Sequence, residues 1–447
     1  MLKQQETLKI CKQILGRCGK DPAEVLIFSE DDALTRFANN TIHQNVAQTD
    51  TNIIIRYIIG KRIGTATTNR LDVSALDEMV GRARLNAQAS PEDPLYPGLP
   101  GPAQYQEITT FDDATASYSP QARALSVREL CNLSKSKNLN ASGAFSTGYA
   151  EIAIANTEGV SAYHTSTHAD FQTVVMGEDS SGRAQGSAWR VQDIPVEELG
   201  KEAIHKAERG RNPRKIDAGE YTVVFDHYVT QDILSSLCFS GMGALSVLEG
   251  RSWMNDRIGQ KVMSSQVSIW DDGLDPQGAP MPFDFEGVPK QKVDIVREGV
   301  VLGPVYDRYT GQKAGHASTG HALPPTARGF GPLATNLFMA PGAASLEEMI
   351  HSTQRGLYIN RFWYTRVVHP RDCIITGMTR DGVFMIENGE ITYPVQNLRF
   401  TQSYVQALAE VEAVGRKTYL LASEFLSSVD CIPALKISRF NFTGSTV

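Results

Sequence analysis

A series of five short β-like runs between residues 24 and 67 limits the fold most strongly. These runs are rich in β-branched and aromatic residues, and the turn-forming pairs Asp31-Asp32, Asn39-Asn40 and Gly60-Lys61 separate them. Strands joined by such short turns pair with their neighbours along the chain. The sequence therefore predicts an antiparallel meander with strands at 24–29, 34–38, 41–47, 51–59 and 62–67.

Helical patterns surround these runs. An apolar stripe at helical spacing predicts a first helix that ends near Gly16 and Gly19, and a second helix is expected from Ser74, with Asp77 as a capping contact. Ser345 is a good N-cap residue, and Glu348 stands three positions later, as a capping box requires. The remaining helices are predicted at 120–136, 196–209 and 345–354.

Two segments suggest how the chain divides. Residues 89–102 (ASPEDPLYPGLPGP) contain five prolines and are expected to cross the surface in an extended form. Residues 210–218 form an apparent linker. The predicted fold class is α+β, with two domains built from antiparallel β-sheets and flanking helices: an N-terminal α+β domain at 1–215 and a β-rich C-terminal domain at 216–447. Strands in the second domain are predicted at 221–225, 267–271, 292–297, 299–306, 335–339, 372–378, 382–386, 390–396 and 398–403.

The composition indicates a soluble, cytoplasmic protein. The net charge of −7 is spread along the chain, which argues against a nucleic-acid-binding face. No run approaches the ~20 apolar residues that span a bilayer. Six cysteines without a C-x-x-C pair are typical of reduced thiols in the cytosol.

Residues 221–250 form the first candidate functional segment. A strand-like run at 221–225 leads into a helical pattern in which Ile233, Leu234, Leu237 and Cys238 share one face. Several blocks follow in a fixed order: 284–289 (DFEGVP), 318–322 (STGHA) and 382–391 (GVFMIENGEI). A further block at 36–44 (RFANNTIHQ) precedes them.

In this order, the blocks resemble the TldD/PmbA family, also called modulators of DNA gyrase. The resemblance covers nearly the whole chain. In the TldD half of that family, the helix after the first strand carries a zinc-binding His-Glu-x-x-x-His motif. When this helix is aligned with that motif, the first histidine, the glutamate and the second histidine fall on Ser235, Ser236 and Ser240.

The resemblance therefore implies a PmbA (TldE)-like subunit that lacks the metal ligands. Zinc is expected in a TldD-type partner subunit, and no cofactor is expected in this chain. The implied assembly is a heterodimer that encloses a cavity for unfolded peptides, while a homodimer of the free protein remains open. The catalytic residues are unassigned, since serines occupy the motif.

Two loops are expected to form the cavity wall and to bind peptide. Their candidate residues are Asp284, Glu286, Ser318, Thr319, Gly320 and His321. Asp284 and Glu286 alternate in an extended segment and could act as a pair of carboxylates in one cleft. The favoured interpretation is that they cap backbone N–H groups in a tight loop.

Other metal sites are weaker candidates. His164 and His168 have H-x-x-x-H spacing, but they are expected to be exposed on a strand, where four residues span ~13 Å, too far for one ion. His316 and His321 lie in a glycine-rich loop without a visible third ligand. Cys431 is close to the region of a TldD cysteine ligand and is interpreted as structural.

Two further functions stay open. The family's second name suggests a regulatory binding protein that acts on a gyrase or toxin–antitoxin system without proteolysis. A self-sufficient hydrolase would need a serine nucleophile with a base and an oxyanion hole. The chain lacks a G-x-S-x-G elbow, which argues against that hydrolase.

Overall fold

The strands form two sheets in the computed structural model, which describes residues 3–423 and 429–445. The N-terminal sheet has six strands in the order β3-β2-β1-β4-β5-β6, and all its pairings are antiparallel. Its strands are β1 (Ala23–Ala38), β2 (Thr41–Ile59), β3 (Arg62–Thr68), β4 (Asn140–Asn156), β5 (Ser161–Met176) and β6 (Ser181–Ala188).

The first strands are longer than the sequence predicts. The turn expected at Asp31-Asp32 is wrong, because β1 runs through both residues without a break. Cross-strand partners hold these aspartates in the sheet: Thr49 donates a hydrogen bond to Asp31 (2.8 Å), and His168 lies 2.7 Å from Asp32. The meander itself is confirmed, and its turns lie at Asn39-Asn40 and Gly60-Lys61.

Helices pack against the sheets. The helix over 196–209 and the one over 120–136 are confirmed, and Ser345 and Glu348 form the expected capping box. The helix expected from Ser74 begins one residue earlier, because Asp72 caps it by accepting from the Ala75 N–H (3.1 Å). The helices are α1 (Gln4–Gly16), α2 (Val73–Ala89), α3 (Asp113–Ala116), α4 (Pro120–Ser136), α5 (Val196–Arg209), α6 (His227–Leu237), α7 (Ala244–Leu248), α8 (Arg308–Ala314), α9 (Leu346–His351) and α10 (Tyr404–Ala409).

The C-terminal sheet is larger and mixed. Its strand order is β10-β9-β8-β11-β17-β15-β13-β12-β7, with β14 beside β13 and β16 beside β17. Its strands are β7 (Gly219–Phe225), β8 (Ile269–Asp271), β9 (Val293–Arg297), β10 (Val300–Val301), β11 (Leu337–Met339), β12 (Arg355–His369), β13 (Ile374–Glu387), β14 (Glu390–Pro394), β15 (Leu398–Ser403), β16 (Val411–Ala422) and β17 (Val429–Ser445).

The sequence interpretation missed three of these strands: β12, β16 and β17. Most pairings are antiparallel, as predicted, but β7 pairs with β12, and β11 with β17, in parallel. The hairpin predicted at residues 387–390 is confirmed, with Asn388 and Gly389 in the left-handed conformation that a tight turn needs. The fold class is α+β, as predicted.

A buried ion cluster joins the two sheets. Arg56 of β2 donates to Glu24 of β1 (2.8 Å) and to Glu286, which lies in a loop that follows β8 (3.3 Å). Arg328 approaches the same Glu286 at 3.1 Å. The last N-terminal strand ends at Ala188 and the first C-terminal strand begins at Gly219, and the division at 215/216 stays a prediction.

Across the parts of the chain that the structure describes, no helix has both the length and the apolar character needed to cross a bilayer.

Candidate functional site

Helix α6 forms one wall of the candidate site, and its start is firmly held. Asp226 caps the helix by accepting from the His227 N–H (2.8 Å). The same carboxylate accepts hydrogen bonds from Lys206 (2.9 Å) and Tyr358 (2.5 Å). Because these partners come from α5 and β12, the N-terminal end of α6 is fixed relative to both elements.

A π-helical turn at residues 238–242 follows α6 directly. Gly241 makes this turn possible, because a Cβ at that position would lie 2.4 Å from the Ser252 hydroxyl oxygen. Such turns often occur at functional sites. The turn contains Ser240, which is buried, and burial raises the pKa of the Cys373 thiol to about 12.

A cavity of about 450 Å³ lies between α6 and β12. Ser235 and Ser236 line it, so two of the three motif positions meet the cavity, while Ser240 does not. Most of the cavity surface is apolar, and six of its lining residues are aromatic or aliphatic. The other lining residues are Arg183, Tyr228, Gln231, Asp232, Phe239, Arg361, Phe362, Trp363, Tyr364, Thr365, Arg366, Val367 and Ser423.

Seven consecutive residues of β12, at 361–367, form the opposite wall. β12 pairs with β7 only over 356–359, so beyond residue 359 its edge on that side has no strand partner among the described residues. Register shifts interrupt the pairing with β13 on the other side, and Tyr364 adopts a φ of 56°. A left-handed tyrosine in a strand is strained, and bulges of this kind re-aim side chains beside binding sites.

The charged groups of the cavity are held in place. Arg361 donates to the buried Asp381 (2.5 Å). Asp232 accepts hydrogen bonds from Thr365 (2.8 Å) and from Tyr404 (2.6 Å). These contacts tie β12 and α10 to α6, which keeps the two cavity walls at a fixed separation.

The buried carboxyl of Asp430 contacts Ser235. The Ser235 hydroxyl donates to Asp430 Oδ2 of β17 at 3.5 Å. Burial raises the pKa of Asp430 to about 7, and nearby Asp271 adds to the rise, while hydrogen bonds from Ser235 and Gln231 oppose it. A carboxyl in this environment changes its charge near neutral pH.

The residues at this position do not fit a zinc ion. Zinc is bound by cysteine, histidine or carboxylate ligands, usually three or four of them. Ser235 and Ser236 offer hydroxyl groups on α6, and the described residues contain no group of three or more histidine, cysteine or acidic side chains arranged for a metal. Cys431 lies next to Asp430 on β17, and neighbouring strand residues point to opposite faces, so its thiol is directed away from α6.

Asp284 and Glu286 are both buried and bonded within the protein. Asp284 accepts hydrogen bonds from the backbone N–H groups of Glu286, Val288 and Ala322, each at 2.9 Å. Burial raises the pKa of Asp284 to about 6. Glu286 belongs to the ion cluster around Arg56. Their part in peptide binding stays a prediction.

The loop at 318–321 is also internally bonded. Thr319 Oγ1 lies 2.9 Å from His321 Nδ1, and His321 Nε2 lies 2.8 Å from Asp271 Oδ1. Gly320 has a φ of 75°, and a Cβ there would lie 2.4 Å from the Pro289 carbonyl oxygen. Ser318 accepts from the Gly320 N–H (3.1 Å).

Both predicted loops border a second cavity of about 580 Å³. Pro97 and Pro100 of the proline-rich segment form its other side. Of the six residues expected to bind peptide, Ser318 lines this cavity.

The histidines with metal-like spacing lie apart. His164 and His168 are on strand β5, as predicted, but His164 is buried and bonded to Thr110 (3.0 Å), so its expected exposure is wrong. The His316 ring stacks on Tyr306, whereas His321 is directed towards Asp271. These contacts occupy the imidazole rings within the fold.

Sequence reasoning missed the β12 wall. Residues 355–369 (RGLYINRFWYTRVVH) are rich in aromatic and β-branched residues, which is the signal for a strand. Asp430 was also missed, because its contact with Ser235 joins residues almost two hundred positions apart.

Family models assign the chain to a class of peptidases. Residues 218–444 match the PmbA/TldA metallopeptidase C-terminal domain, residues 23–87 match domain 1, and residues 112–211 match the central domain. The chain therefore belongs to the PmbA/TldD metallopeptidase family.

Individual relatives agree with this assignment. The chain is 25% identical over 308 residues to the metalloprotease PmbA of Escherichia coli O157:H7, a match that spans 66% of this chain and 64% of PmbA. It is 21% identical over 434 residues to a metalloprotease TldD homolog of Haemophilus influenzae, covering 93% of this chain and 89% of that protein.

Solved structures share the fold. TldE from Thermococcus kodakarensis superposes with a TM-score of 0.89 at 19% identity, covering 98% of this chain and 99% of TldE. A protein of Thermotoga maritima described as a modulator of a DNA gyrase superposes with a TM-score of 0.87 at 19% identity, covering 97% of this chain and 99% of that one. At this identity, the likeness concerns the fold.

Proposed function

We propose that this chain is the metal-free, TldE-like subunit of a two-subunit zinc metallopeptidase in the cytoplasm. The observation that carries the proposal is the cavity along α6, which Ser235 and Ser236 line at the positions of the first histidine and the glutamate of the family's zinc motif. A serine hydroxyl neither binds zinc as these enzymes require nor acts as the general base. A TldD-type partner subunit supplies the zinc and the catalytic glutamate.

The role of this chain is to hold an extended peptide. The unpaired edge of β12 at 361–367 offers backbone N–H and C=O groups, and an added strand can pair with them. Backbone pairing is independent of peptide sequence, which suits an enzyme for unfolded substrates. The apolar walls then take up side chains of alternate peptide residues.

The fixed separation of the walls supports this role. Asp232 joins α6 to β12 through Thr365, and Tyr404 holds the same carboxylate from α10. A site that is already formed loses less conformational entropy when a peptide binds. The cavity is therefore suited to retaining a peptide for the partner's active site.

Co-purification tests the proposal. The tagged chain is recovered from its native host, and the proteins bound to it are identified by mass spectrometry. We expect a stoichiometric subunit of similar size that carries His-Glu-x-x-x-His. Recovery of the chain without such a subunit would contradict the two-subunit assignment.

A non-proteolytic regulatory role is the second candidate, and the modulator description of the Thermotoga maritima neighbour favours it. It predicts that the chain leaves the peptidase activity of a TldD-type subunit unchanged.

A further inference from the structure

Three arginines line the cavity between α6 and β12, and each lies over an aromatic ring of the same cavity. The guanidinium carbons lie between 4.4 and 5.9 Å from the ring centres in the pairs Arg183–Tyr228, Arg361–Trp363 and Arg366–Tyr364. A guanidinium over a ring is oriented through its flat face, and this contact uses none of its five N–H donors. The rings therefore set the direction of the arginine side chains without occupying their hydrogen-bonding edges.

The irregular course of β12 brings Arg361 and Arg366 to the same cavity. Side chains five positions apart in a regular strand point to opposite faces of the sheet. The pairing of β12 with β13 shifts register between Trp363 and Arg366, and Tyr364 has a φ of 56°. Because a bulge re-aims side chains, both arginines line the cavity, although the strand repeat alone would separate them.

Arg366 is the most accessible of the three arginines. Arg183 and Arg361 are buried, with exposed fractions of 5% and 7%. Arg361 also donates to Asp381 (2.5 Å), which offsets its charge within the fold. Arg366 is exposed and donates to the carbonyl oxygen of the neighbouring Thr365 (2.7 Å). A group that enters the cavity from solvent therefore meets Arg366 first.

We propose that this cavity selects peptides that carry a carboxylate, on an acidic side chain or at the C-terminus, and that Arg366 binds that carboxylate. The inference rests on the proposed function, because it assigns a preference to the same peptide-binding cavity. Backbone pairing along β12 supplies affinity for any sequence, and side-chain contacts add the preference. Hydrogen bonds from a guanidinium to a carboxylate are roughly twice as strong as those between neutral groups.

The same cavity is unsuited to a basic side chain. Among the lining residues that the structure describes, Asp232 is the one acidic group, and its carboxylate already accepts from Thr365 (2.8 Å) and Tyr404 (2.6 Å). Aromatic faces attract cations, but arginines already lie over three of these rings. A lysine of the peptide would therefore meet groups of its own charge.

Binding of matched peptides to the full-length chain tests the preference. Four labelled, unfolded peptides differ at one position: glutamate, glutamine or lysine with an amidated C-terminus, and glutamine with a free C-terminal carboxylate. We expect the glutamate peptide or the free-carboxylate peptide to bind about tenfold more tightly than the glutamine amide, and the lysine peptide to bind most weakly. Fluorescence anisotropy measures the affinities, and the peptide that gains affinity identifies the source of the carboxylate.

Two variants test the assignment to Arg366. Arg366→Gln removes the guanidinium and should abolish the affinity difference between the carboxylate-bearing peptide and the glutamine amide. Arg128→Gln, at an exposed arginine of α4, is the matched control and should keep the full difference. In the native chain, added salt should reduce the difference, because it screens the attraction between exposed charges.

Equal affinities for all four peptides, tighter binding of the lysine peptide, or an undiminished difference in Arg366→Gln would each overturn the inference and leave the proposed function intact. The comparison among peptides uses the native chain, so it decides the preference even where a variant fails to fold. If the native chain binds none of the four peptides, the inference and the proposed role in holding a peptide both fail.

Discussion

The Ser235 hydroxyl oxygen and Asp430 Oδ2 lie 3.5 Å apart. This contact links the buried interior of the C-terminal sheet to one wall of the cavity. The carboxyl belongs to β17 and the hydroxyl to α6. Helix α6 therefore packs against a buried carboxyl at Ser235.

The first prediction concerns pH. Because burial raises the pKa of Asp430 to about 7, the folded state binds this proton more tightly than the unfolded state, in which an aspartate titrates near 4. Asp430 thus stabilises the fold fully below about pH 4, and this contribution is lost as the pH rises towards 7, by up to about 1.4 kcal/mol for each pH unit.

Asp430→Asn removes that titration. Urea unfolding from pH 4 to pH 8 should show a smaller fall in the free energy of unfolding for the variant than for the native chain. Asp179→Asn, at an exposed aspartate, serves as the control. Identical pH slopes for the native and Asp430→Asn chains would contradict the raised pKa.

The second prediction concerns peptide binding in the α6 cavity. Ser236→Trp places an indole in the cavity and should weaken the binding of a fluorescently labelled unfolded peptide at least about tenfold, which corresponds to about 1.4 kcal/mol. Fluorescence anisotropy measures this change. Ser136→Trp, at an exposed position near the end of α4, should bind as the native chain does. Equal affinities for the two variants would place the peptide elsewhere.

The third prediction concerns the ion cluster between the sheets. Arg56→Met removes the fully buried cation that pairs with Glu24 and Glu286 and leaves them only the partly exposed Arg328, and breaking a buried pair in this way costs about 3–5 kcal/mol. Arg70→Met removes an exposed arginine that pairs with Asp72, and because solvent screens such a pair, its loss should change stability little. Denaturant unfolding should separate the two variants clearly, and a similar loss from both would contradict the structural role of Arg56.

Much of the fold can be predicted from local sequence signals. The helix over 196–209 and the Asn388-Gly389 turn depend on apolar periodicity and turn chemistry, which a short window contains. The wrong prediction of a turn at Asp31 and Asp32 also comes from reading only a short window of sequence. A local window shows two turn-forming residues, but their partners Thr49 and His168 lie on other strands.

The site depends on distant contacts, and fewer of its parts follow from sequence. Ser235 and Ser236 were identified through a family motif, whereas their neighbours on β12 come from residues more than a hundred positions later. The loops at 284–289 and 318–321 were also identified through their resemblance to family motifs. Their side chains, however, bond within the fold: Asp284 accepts from the Ala322 N–H, Glu286 accepts from Arg56, and His321 bonds to Asp271.

Peptide hydrolysis by reconstituted subunits tests the central claim most directly. The pure chain, a TldD-type subunit and their equimolar mixture are incubated with an unfolded peptide, with and without a zinc chelator. We predict no cleavage by this chain alone, cleavage by the mixture that the chelator abolishes, and no cleavage when the glutamate of the partner's motif is changed to glutamine. Zinc-dependent cleavage by the pure chain would contradict the account.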